Sequence, residues 1–97
     1  MDTLEDLRKS IDNIDNAIIA MFAERFKVTA KVGVYKATNG LPAKDIEREK
    51  IQFQRISELS LLYGLDPDFA KELLGYVINK VVDEHKEIAS GLQKKLM

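Results

Sequence analysis

The sequence predicts an all-α chain of three helices, one long and two shorter, and two observations predict it. Apolar residues recur at alternating steps of three and four from Leu4 through Leu7, Ile11, Ile14, Ile18, Met21, Val28 and Val32 to Tyr35. That is the period of a helix stripe kept toward a partner, sustained over more than four heptads. Two breaks, Thr38-Asn39-Gly40-Leu41-Pro42 and Gly64-Leu65-Asp66-Pro67, then divide the chain into three stretches.

The first helix is expected from Thr3 to about Ala37. Thr3 can cap it, with Asp6 three positions later as an acidic relative of the capping box. Asp2, Glu5 and Asp6 suit the positive end of the helix dipole. At about 1.5 Å per residue this helix is roughly 50 Å long. It must project beyond its shorter partners, which points to a dimer. Gly33 inside it marks a close helix approach or a tolerated cost.

Pro42 biases Leu41 away from helix. The second helix is expected from about Lys44 to Leu62, with an inward face of Ile46, Glu49, Phe53, Ile56, Leu59 and Tyr63. Gly64 ends it as a left-handed cap. Asp66 at N-cap and Pro67 at N1 begin the third helix, which runs to about Lys94. Its apolar face drifts through Phe69, Leu73, Val77, Val81, Ile88 and Leu92.

Each helix breaks its own apolar face with a polar residue. Arg25 stands in the first seam between Met21 and Val28, where a guanidinium is costly to desolvate without an anionic partner. Lys36, eleven residues on, points almost the same way, roughly 16 Å along the axis. Arg8 lies seventeen residues before Arg25, roughly 25 Å away, so only an antiparallel two-fold partner could bring its own Arg8 to the same pocket. Glu49 stands between Ile46 and Phe53 and needs a hydrogen-bond partner or a raised pKa. Asp45 and Arg48 cluster beside it on the first turns. His85 falls in the third stripe, one turn past Val81.

Each residue also has a plain reading. Arg8 and Lys36 are solvated charges, Arg25 is half of a buried ion pair, Asp45 and Arg48 are a surface pair, and His85 is a satisfied core histidine. Several such breaches in one small core favour a shared polar cavity instead, rich in cations with one carboxylate. It suits a small polyanion carrying a hydroxyl or an amine.

The 97 residues are read as one domain, 1–97, short enough that oligomerisation is a natural source of extra core. Fifteen Lys+Arg balance 16 Asp+Glu, which disfavours nucleic acid as a partner. Without cysteine there is no disulfide framework, thiolate metal site or cysteine nucleophile. No glycine loop cradles phosphate and no metal-ligand spacing occurs. The N-terminus has no signal-peptide core and no apolar run approaches a membrane span, so a soluble cytoplasmic protein is expected. At this length no fused regulatory or second catalytic domain is expected.

Taken in order, Leu7-Arg8-x-x-Ile11-x-x-Ile14-Asp15, Ala23-Glu24-Arg25, Val32-Gly33-x-x-Lys36 and Asp45-x-x-Arg48-Glu49 resemble the all-helical (AroQ-class) chorismate mutases. Each motif is weak alone; their order and spacing, over nearly the whole chain, are fairly specific. The resemblance implies an intertwined homodimer of three-helix chains, each site completed by the partner's first helix. It implies the [3,3] rearrangement of chorismate to prephenate, in the shikimate route to aromatic amino acids, with no cofactor and no metal. By resemblance, Arg25 and the partner chain's Arg8 would clamp two substrate carboxylates, a task suited to bidentate guanidinium geometry. Lys36 would face the ether oxygen. Glu49 would accept from the ring hydroxyl, helped by the backbone near Asp45, and Arg48 would lie by the ring carboxylate.

Two positions depart from the family pattern. His85 stands where many relatives carry a glutamine that donates to the ether oxygen, and Val81 where a small hydroxyl residue contacts a carboxylate. Histidine can donate too, more strongly as imidazolium, so turnover is expected to rise as pH falls toward 6. Val81 implies weaker substrate binding or a shifted substrate. The rival readings are a 4-amino-4-deoxychorismate mutase or an isochorismate-pyruvate lyase on the same fold, or a non-catalytic helical dimerisation module.

Overall fold

The structure is a computed structural model, and it describes residues 2–96. Its elements are α1 (Leu4–Thr38), α2 (Ile46–Tyr63) and α3 (Pro67–Leu96). The all-α, three-helix prediction holds, and cap chemistry sets most of the boundaries. Thr3 Oγ1 accepts from the Asp6 backbone N–H, and Asp6 Oδ2 accepts from the Thr3 N–H, each at 3.1 Å. The Thr3 N–H, more than its hydroxyl, holds the Asp6 carboxyl below the ordinary aspartate range. A carboxyl lowered in this way supports the folded helix above the usual carboxylate range and ceases to as acid carries it through its lowered value.

The second helix begins later than Lys44. Asp45 lies outside it in extended conformation and caps it, accepting from the Arg48 N–H at 3.0 Å. The plain reading of Asp45 and Arg48 as a side-chain pair is not met among the described residues, because the aspartate is spent on backbone. Gly64 closes α2 at φ +71°, with the Leu65 N–H on the Ser60 carbonyl. Asp66 Oδ1 accepts from the Asp68 N–H and opens α3.

Both α1 and α2 pack on α3, and they do not pack directly on each other. The core is small: Ala70, Val77 and Ile78 are buried, together with Ser60, His85 and Gly33. On α3 the inward stripe thus includes Ala70 and Ile78, whereas Phe69 and Leu73, expected to face inward, are exposed. The α1 surface against α3 is displaced from the predicted seam by one residue. Phe22, Phe26, Ala30, Gly33 and Ala37 are sheltered, while Leu4, Leu7, Ile11, Ile14, Ile18, Met21, Val28, Val32 and Tyr35 are exposed. Two apolar rows run side by side on this helix, and the single chain covers only one.

All of residues 2–21 are exposed, so the N-terminal half of α1 projects clear of the other helices. The chain measures 64 × 26 × 15 Å, with a radius of gyration of 17.4 Å. A compact chain of this length would be nearer ~12.5 Å. Among the described residues, no helix is long and apolar enough to cross a membrane.

Candidate active site

The residues that interrupt the apolar faces meet in one open cleft of about 560 Å³. Arg25 and Lys36 come from α1, and Val81 and His85 from α3. Asp45, Arg48 and Glu49 come from the capped start of α2. Val28, Val32, Ile78 and Val82 supply apolar wall. Of the predicted site residues, Arg8 lies elsewhere. It is exposed on the projecting half of α1, beyond reach of its own cleft.

Arg25 is half-buried, and its Nη1 is buried with no hydrogen-bond partner among the described residues. No ion pair there explains it as a structural residue. A buried guanidinium N–H without an acceptor is costly. Lys36 Nζ donates to the Ala43 carbonyl at 3.1 Å, which fixes the side chain while leaving two of its three N–H donors free. Glu49, whose side chain is 17% exposed, has the partner that its place on an apolar face demands. Lys44 Nζ lies 3.1 Å from Oε1 and 3.0 Å from Oε2.

His85 is 4% exposed, and its Nε2 lies 2.8 Å from the Thr29 carbonyl oxygen. A carbonyl only accepts, so Nε2 carries the proton and donates. In the neutral ring Nδ1 is then a lone pair, and it is buried without a partner. Gly33 is what lets the ring approach α1. A Cβ there would lie 2.7 Å from His85 Cδ2 and 2.8 Å from Ile88 Cδ1. Gly33→Ala is therefore expected to lower unfolding free energy by about 1–3 kcal/mol in urea titration. Part of that cost should disappear in a His85→Ala background.

A family model described as chorismate mutase type II matches residues 7–86, a span that runs past Arg8 at one end and His85 at the other. The chain belongs to that family. The chorismate mutase of Methanocaldococcus jannaschii is 34% identical over 97 residues, covering 100% of this chain and 90% of that protein. The bifunctional chorismate mutase/prephenate dehydratase of Aquifex aeolicus is 34% identical over 97 residues, 99% of this chain but 25% of that protein. That of Escherichia coli strain K12 is 30% identical over 76 residues, 78% of this chain and 20% of that protein. The chain spans about a quarter of the length of these bifunctional relatives or less.

Two cleft residues with polar side chains escaped the sequence reading. Gln52, one turn past Arg48, lines the cleft, but glutamine on a polar helix edge looks like any solvated residue. Thr29 also lines it and acts on His85 through its carbonyl, which no side-chain pattern reports.

Proposed function

We propose that the protein is a chorismate mutase, rearranging chorismate to prephenate within one molecule, without a cofactor or a covalent intermediate. The observation that carries this reading is the cleft itself. Three cations, Arg25, Lys36 and Arg48, line it beside the carboxylates of Asp45 and Glu49, and Arg25 Nη1 has no acceptor among the described residues. A pericyclic reaction needs no acid, base or nucleophile, only a compact conformer and stabilisation of the charge that develops as the C–O bond breaks. Arg25 would take one carboxylate and Arg48 would lie by the ring carboxylate. The free N–H groups of Lys36 would meet the ether oxygen, and Glu49 would accept from the ring hydroxyl.

The working unit is a homodimer in which a second copy supplies Arg8. Supporting this, the uncovered apolar row of α1 needs a cover that its own chain lacks. A groove of about 320 Å³, walled by Phe22, Ile56, Leu59, Tyr63 and Leu73 with Arg25 at its edge, offers an apolar bed for a partner helix. Exposed rows of this length are rare on monomers.

The test is to mix the purified protein with chorismate, follow its loss, and identify the product. Prephenate supports the reading; a folded dimer that leaves chorismate untouched sinks it. A 4-amino-4-deoxychorismate mutase is the second reading, favoured by Glu49, which can accept from an amine as from a hydroxyl, and by Val81 and His85.

With Nε2–H on the Thr29 carbonyl and Nδ1 buried, His85 can donate to substrate only by giving up the Thr29 contact. His85→Gln, whose amide donates, is expected to retain turnover and His85→Ala to lose it in steady-state kinetics. Equal rates in the two variants would count against a donor role for His85.

A further inference from the structure

Four ion pairs occur among the described side chains, and three are alike: Lys9–Glu5, Lys27–Glu24 and Lys50–Glu47 join exposed neighbours one turn apart on a helix. Such pairs contribute little. The fourth, Lys44–Glu49, differs in three respects. It spans five residues rather than three or four, it crosses the start of α2, and its carboxylate is sheltered in the cleft wall. The segment that carries Lys44 is tied down on both sides. The Ala43 carbonyl accepts from Lys36, and Asp45 caps the Arg48 N–H. Lys44 is thereby held where its ammonium meets both oxygens of Glu49.

Resting on the chorismate mutase reading, we propose that Lys44 is a positioning residue that sets specificity. Its ammonium, held across Glu49, leaves that carboxylate able to receive a neutral ring hydroxyl and biased against a ring ammonium. An ionised carboxylate offers about four lone-pair sites, and Lys44 engages one on each oxygen. Sites remain for a hydroxyl hydrogen, which brings no charge. An amine substituent enters at neutral pH as a cation and would share the carboxylate with a second cation. Lys36 and Arg48, on the same cleft, add repulsion of the same sign. Lys44 does not line the cleft, so it acts through Glu49. Its side chain is 52% exposed and can retreat into water, so the bias is graded rather than absolute.

The test compares kcat/KM for chorismate and for 4-amino-4-deoxychorismate in the wild type, Lys44→Met, Lys44→Gln and Lys44→Arg, with thermal melts to confirm folding. The wild type is expected to favour chorismate. In both neutral variants the ratio of amine to hydroxyl substrate should rise by about twofold to fivefold, the size of a partly screened charge contact. The change should lie mainly in KM, and Lys44→Arg should restore the wild-type ratio. An unmoved ratio, an equal loss on both substrates, or a wild type that prefers the amine overturns the role of Lys44 while leaving a mutase in place. A wild type that turns over neither substrate overturns the mutase reading, and this inference with it.

Discussion

Arg25→Ala is expected to lower kcat/KM for chorismate by about 10²–10³-fold, the cost of losing one positioned donor to substrate charge. The same residue should be a burden to the empty fold. Its Nη1 is buried and unpartnered, so Arg25→Leu is expected to raise unfolding free energy by about 1 kcal/mol or more in urea titration. Loss of turnover with gain of stability would identify a residue kept for its ligand. If Arg25→Leu stabilised the protein and turnover survived, Arg25 would be no part of the substrate clamp.

Arg8→Ala is expected to be as inactive as Arg25→Ala, although it lies on an exposed stretch of helix where substitution should barely change stability. The informative experiment mixes the two. If Arg8 acts in the partner's cleft, a dimer of one Arg8→Ala chain and one Arg25→Ala chain contains one intact site and one doubly altered site. Co-expression with random pairing should then restore about a quarter of wild-type activity from two dead proteins. No recovery, with mixed dimers demonstrated, would mean that Arg8 does not serve a second chain's site.

Much of this was legible because the relevant residues break local rules. Thr3 with Asp6, Gly64, and Asp66-Pro67 announce helix ends by chemistry that depends on neighbours in sequence, and all behave as expected. Arg25, Glu49 and His85 stood out because a polar group on an apolar face needs a reason. Asp45 was misplaced by a turn's edge, since an acidic residue just inside a helix and one just outside it look alike in sequence. The surface of α1 that meets α3 was not legible. Two apolar rows lie one residue apart on that helix, and periodicity cannot say which is covered by its own chain. The Lys44–Glu49 pair was missed for a related reason: it follows no helical pairing rule and depends on how the segment between the helices is tied.

That α1 and α2 each rest on α3 but not on each other has a thermodynamic consequence. The volume where a third packing contact would lie is the cleft, so whatever fills it becomes the missing layer between those two helices. A bound ligand should therefore slow amide hydrogen exchange throughout α2, well beyond the side chains it touches, and raise the melting temperature in proportion to the logarithm of its concentration. In this protein, occupancy and consolidation are one event, and saturation could be read from the backbone alone.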